Sequence, residues 1–179
     1  MLEFLLAPLI LVALPFLVPH PVLLFVCVLL LLPGAYAMWS GAPYVPTPKP
    51  TMDEMFRLAR IQPGERIYDL GCGDGRLIFQ ATQQGADATG FELAFLPYLS
   101  AKLQSFFRGG SIRYGDFWRK DVSDANVIFV YLLTESMQTF KQRLWPSLKP
   151  GTRVISHAFS MHGIEPTEQS GKVRLYVKP

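Results

Sequence analysis

The stretch Asp69-Leu70-Gly71-Cys72-Gly73-Asp74-Gly75 constrains this chain more than any other. The apolar-ended run Arg66-Ile67-Tyr68 leads into it, and Arg76-Leu77-Ile78-Phe79 leads out with a helical pattern. A strand that enters a turn with glycine at every second position and leaves as a helix is a small-molecule binding device. The glycines let the backbone turn sharply and approach a ligand closely, and amides at the start of a helix carry partial positive charge. From this turn alone, a phosphate or a carboxylate is an equally good ligand.

The rest of the chain supplies the scaffold. Met52, Met55, Phe56 and Ala59 recur at helical spacing, and Thr51-Met52-Asp53-Glu54 has the form of a capping box at that helix's start. Arg66–Leu70 is the first strand, Leu77, Ile78 and Ala81 mark a helix ended by Gly85, and Ala88–Leu93 is the second strand. Phe95, Leu96, Leu99, Leu103 and Phe106 form the stripe of the next helix, with Pro97 tolerated in its first turn and Gly109-Gly110 stopping it. Ser111–Tyr114, the continuous apolar run Val127–Tyr131, and Arg153–Phe159 are further strands, with a helix over Thr134–Leu148 between the last two. Val173–Val177 closes the series, and the short interval after Phe159 leaves no room for two full-length closing strands. Alternation of this kind specifies an α/β class, a doubly wound and mostly parallel sheet whose ligands bind at the carboxyl ends of the strands. The glycine turn, Glu92, Asp116 and Tyr131 all fall at such ends.

Before this domain lies something of a different kind. Between Leu2 and Trp39 the only acidic, basic or imidazole side chains are Glu3 and His20, and the first Lys or Arg is Lys49. Residues 1–40 therefore read as a transmembrane anchor, with one secure span over about residues 21–39. The half before Pro19-His20-Pro21 is either a second short span, making a hairpin, or an apolar arm at the interface. There is no basic region ahead of the apolar run, as a cleaved signal peptide would require. Lys49, Arg57 and Arg60 all follow the segment, which puts the domain on the cytoplasmic side. Residues 41–50 are a Pro-rich linker, and 51–179 the globular domain; Tyr44 and Thr47 are unusual in a spacer and are candidates to fold back over the ligand site. The formal charge of +3 is spread without a basic cluster, which argues against a nucleic-acid partner. Cys27 and Cys72 lie in unrelated environments, so neither has a disulfide partner, and Cys72 needs only to be small for the turn to form.

The third glycine comes one position earlier than in the G-x-G-x-x-G dinucleotide fingerprint. Glu92, at the end of the second strand, is placed to accept hydrogen bonds from a ribose diol, and Asp116 with Phe117 to meet an adenine. Asp69–Gly75 together with Glu92 and Gly115-Asp116 resembles the S-adenosyl-L-methionine site of the class I, seven-strand, Rossmann-like methyltransferases, over about residues 60 to 160. Within them, Pro43-Tyr44-Val45-Pro46-Thr47, Val130-Tyr131-Leu132-Leu133 and Lys149–His157 resemble the small membrane-anchored protein-lysine methyltransferases of the ATP synthase c subunit and adenine nucleotide translocase. The resemblance implies cofactor binding by Asp69, Gly71, Cys72, Gly73, Gly75, Glu92, Asp116 and Phe117, with the turn amides on the methionine carboxylate. It implies no metal. Tyr131 and His157 are the candidates for orienting or deprotonating an acceptor lysine. The expected activity is N-methylation of an accessible lysine on a membrane or membrane-associated protein, with the lipid bilayer as a second partner. Methylation of a lipid or other amphipathic molecule, and a non-catalytic adenosylmethionine-binding scaffold, are the alternatives.

Overall fold

A computed structural model describes residues 19–28, 32 and 44–179. The expected membrane anchor, residues 1–40, lies outside the described residues apart from 19–28 and 32. Residues 20–28 are helical, and Val22, Leu24, Phe25, Val26, Val28 and Leu32 stand exposed. Among the described residues no helix is long and apolar enough to cross a membrane.

Helix α1, Lys49–Ala59, begins earlier than the capping box requires. Pro48 and Pro50 have their backbone angles preset for a helix start, so Thr51 falls inside the helix and no side chain caps it. Glu54 pairs instead with Arg57 at 2.7 Å. The expected stripe is real: Met52, Met55, Phe56, Leu58 and Ala59 are all buried.

Strands β1 (Arg66–Leu70), β2 (Asp87–Glu92), β3 (Ser111–Tyr114), β4 (Val127–Val130), β5 (Arg153–His157), β6 (Glu168–Ser170) and β7 (Val173–Val177) form one sheet in the order β3-β2-β1-β4-β5-β7-β6. The first five are parallel, while β7 runs antiparallel to β5 and β6 antiparallel to β7. β1 is followed by β2 on one side and flanked by β4 on the other, so the order reverses there and the glycine turn opens at that switch point. The closing strands are short, as the sequence interval requires; the three-residue β6 was not foreseen.

Helices α2 (Arg76–Gln83) and α3 (Phe95–Arg108) share with α1 the core on one side of the sheet. On the other side, α4 (Thr134–Arg143) contributes Met137 and Phe140, followed by a 3-10 turn at Trp145–Ser147. The single helix expected to reach Leu148 is thus split, because Pro146 cannot continue an α-helical ladder. Leu144 and Leu148 are buried nonetheless.

The apolar stripe of α3 does not face the core. Ala101 is its only buried residue, whereas Phe95, Leu96, Leu99, Leu103, Phe106 and Phe107 are exposed. The approach is close at the sheet's edge: a Cβ placed on Gly75 would lie 3.3 Å from the Ala101 Cβ. The side of α3 that carries Ala101 meets the glycine turn, and the large apolar residues lie on the other side.

Candidate active site

The turn after β1 is held by its neighbour β2. The amides of Gly71 and Cys72 both donate to the Phe91 carbonyl at 3.0 Å, and that of Gly75 donates to the Cys72 carbonyl at 2.9 Å. Gly73 donates to Glu92 Oε2 at 2.8 Å, while Glu92 Oε1 accepts from Leu93 at 2.9 Å and Ala94 at 2.7 Å. Four amides expected to meet an anion are therefore engaged within the fold, and the turn contributes shape more than donors. Gly71 has φ 90 with open space where a side chain would project, which leaves the backbone bare to a ligand. Cys72 is a packing residue, as its place in the turn suggested. Its thiol lies so close to Gly90 that a Cβ there would come within 2.6 Å of the sulfur, and burial raises its pKa well above the ordinary range.

Three carboxylates surround the turn. Asp69 is 4% exposed, and burial, reinforced by the charges of Glu92 and Asp74, lifts its pKa to about 8. Burial also raises Glu92, although the amides of Ala94, Gly73 and Leu93 oppose the shift. Burial acts on Asp74 in the same direction, but Arg76 outweighs it and holds Asp74 low, through contacts of 2.9 Å and 2.6 Å. The cup is thus short of positive charge at Asp69 and Glu92.

The segment before α1 closes one wall. The Tyr44 ring lies against Gly73, where a Cβ would come within 2.5 Å of it, and its hydroxyl is near Asp74 and Arg76. Thr47 is buried, and its carbonyl accepts from Arg76 at 2.9 Å. The Asp74–Arg76 pair that receives this segment was not singled out from the sequence; its only signal there is an acid and a guanidinium two residues apart across Gly75.

At the end of β3, Asp116 accepts from the Trp118 amide at 2.9 Å and caps the 3-10 turn Phe117–Arg119. Phe117 is a core residue, its ring 4.6 Å from Trp118, so its packing role is clear and its ring does not stand open. Tyr114, by contrast, is exposed beside Tyr98 and Phe95.

Tyr131 and His157 are brought together. Val130 pairs with Ser156 across β4 and β5, which sets the next residues side by side, their rings 4.3 Å apart and inclined by 50°. Leu70 pairs with Val130, so Tyr131 follows β4 beside the glycine turn and His157 lies one strand further out. His157 is buried with Nδ1 lacking a hydrogen-bond partner, and burial, helped by Lys172, lowers its pKa. Among the described residues no cluster of His, Cys, Asp and Glu could hold a metal ion.

This constellation of strand-end residues coincides with a match of residues 69–168 to the ANTKMT methyltransferase domain. The chain belongs to that family. It is 38% identical over 133 residues to a protein-lysine N-methyltransferase of Saccharolobus islandicus, covering 70% of this chain and 82% of that protein. It is 31% identical to the mouse adenine nucleotide translocase lysine N-methyltransferase over 73% of this chain, but spans only 58% of that relative's length. A solved Salinibacter ruber structure, described as an RNA methyltransferase in complex with S-adenosyl-L-homocysteine, superposes with a TM-score of 0.72 at 34% identity; the match covers 75% of this chain and 94% of that one. The protein is an S-adenosyl-L-methionine-dependent methyltransferase. Its residues fit that cofactor. Among the described residues, buried Asp69, with its raised pKa, has no cationic neighbour of the kind that the ammonium and sulfonium of S-adenosyl-L-methionine would supply, and Gly71 leaves room for close approach.

Proposed function

We propose that this methyltransferase N-methylates a lysine of a membrane or membrane-associated protein, from an amino-terminal anchor that holds the catalytic domain at the cytoplasmic face. The observation that carries the lysine reading is the Tyr131–His157 pair at the ends of β4 and β5, with the buried Nδ1 of His157 unpartnered. S-adenosyl-L-methionine supplies an electrophilic methyl group when bound, and only an unprotonated amine can receive it. Lysine ordinarily holds its proton up to a pKa of about 10.4. Burial favours the neutral form of His157, which leaves its imidazole able to accept a hydrogen bond or a proton, and His157 with Tyr131 orients or deprotonates the acceptor nitrogen. Asp69 would meet the cofactor's amino group, Glu92 its ribose, and Asp116 its adenine end; Tyr44 covers the turn. Positioning supplies most of the remaining rate.

The relatives support a protein acceptor, since the two curated ones are named for lysine methylation. Membrane attachment is supported by the composition of residues 2–39 and by the exposed apolar side chains of the helical 20–28 segment. The test is methyl transfer by the full-length protein, supplied with radiolabelled donor and membranes from a strain lacking it. Methyllysine recovered from a protein band is the expected result. Label confined to the lipid extract, or to RNA, overturns the reading.

A further inference from the structure

The outward face of α3 is the largest feature that the catalytic site leaves unexplained. Phe95, Leu96, Leu99, Leu103, Phe106 and Phe107 fall within an arc of about 120° at helical spacing, opposite the fully buried Ala101. Their exposures run from 36% at Phe95 to 92% at Phe107. Apolar patches of this kind on a monomer mark a contact surface.

We infer that this face is a lipid-binding surface, on which α3 lies in the headgroup plane of a bilayer. The inference rests on the membrane reading above and adds a second point of contact to it. Two observations favour lipid over other occupants. First, the helix carries no Asp or Glu, and Lys102 borders its apolar face, while Arg108 sits on the opposite side over the Phe79 ring at 5.0 Å. Large apolar residues bordered by a lysine and free of acid suit a helix lying in a bilayer interface. Second, the same chain carries residues 2–39, which have no Lys or Arg and form the anchor proposed above.

The placement also serves the active site. α3 starts directly after Glu92, whose carboxylate receives the Leu93 and Ala94 amides, so its first turn is fixed to the cofactor turn. Phe95 extends the apolar face onto Tyr114 at the end of β3, with ring centroids 6.2 Å apart. Lying flat, the helix sets the strand ends at headgroup depth, where a lysine emerging from the bilayer is within reach.

The test uses the full chain in vesicles of mixed phosphatidylglycerol and phosphatidylethanolamine, with Cys27→Ser to leave only the buried Cys72. Nitroxide labels are placed singly at Leu103→Cys and, in the amino-terminal segment, at Phe25→Cys. The expected result is a label at 103 relaxed strongly by oxygen and weakly by a water-soluble nickel chelate. Adding Leu96→Glu and Phe107→Glu, both at exposed positions, should expose the 103 label to nickel and leave the 25 label unchanged. Nickel access at 103 with lipid protection at 25 overturns the inference and spares the anchor; nickel access at both overturns both. Protection at 103 accompanied by dipolar broadening between labels identifies a second copy as the occupant, and protection that survives the two glutamates shows proximity without contact. Either result also overturns it.

Discussion

Helices α1 and α3 pack on the same side of one sheet, and each carries an apolar stripe at helical spacing, yet they point those stripes in opposite directions. In α1 the stripe is the buried face and closes the core over β5 and β7. In α3 it is the exposed face, and the interior is met by Ala101 and the partly buried Tyr98. Amphipathicity states that a helix has two faces; which face meets the sheet depends on what lies beneath. Under α3 the glycine turn comes close, and the small Ala101 is the residue of the helix that meets Gly75. The two helices also grip the cofactor turn from opposite ends, α1 through the preceding Tyr44 and Thr47, α3 through the preceding Glu92.

The contrast is most easily broken by charge. Leu58→Asp, at a fully buried position of α1, should abolish cooperative folding, with a loss of about 4 kcal/mol or more, because the carboxylate has no partner in the core. Chemical denaturation followed by circular dichroism measures it. On the α3 side, Glu92→Ala removes the acceptor of three backbone amides as well as the carboxylate proposed to meet the ribose. Cofactor affinity should fall at least about 100-fold, equivalent to roughly 2.7 kcal/mol, by calorimetric titration.

A smaller effect comes from pH. Asp69 holds its proton up to about pH 8 in the free protein, against an unfolded value of about 3.9. The folded state therefore carries the extra proton between these values, and the free protein loses stability as pH rises through that window. A cationic ligand favours the ionised form. Cofactor affinity should accordingly rise with pH up to about 8, by no more than about tenfold per unit, then level off. Titrations at several pH values check this, and Asp69→Asn should flatten the slope. Tyr44→Ala, on the α1 side, should weaken cofactor binding by about fivefold, since it removes a cover over the turn and leaves Glu92 in place. Least of all, Leu103→Asp on α3 should shift folding stability by no more than about 0.5 kcal/mol in the same denaturation assay. A large loss there would mean that the outward stripe is structural after all, and the contrast with α1 would disappear.

Much of the architecture was legible because it is encoded locally. The glycine spacing after β1, the continuous apolar run of β4 and the glycines ending α2 and α3 each act through a few neighbouring residues, and the strand and helix order followed from them. The capping box failed for an equally local reason, Pro48 and Pro50 having preset the helix start. Tyr131 and His157 could be named as strand-end residues, but that they touch depends on the register of β4 against β5.

What the sequence determined by itself is the class of the chain: a doubly wound sheet with a ligand turn at Asp69–Gly75, behind a segment of apolar composition. What only the tertiary structure decided is how individual groups are used. Backbone partners from β2 consume amides that the turn alone seemed to offer, burial beside Glu92 and Asp74 holds a proton on Asp69, and α3 meets Gly75 through Ala101 with its apolar stripe outward. Each depends on atoms distant in the chain but adjacent in space, and hydrogen bonding, desolvation and steric contact are all set by that adjacency.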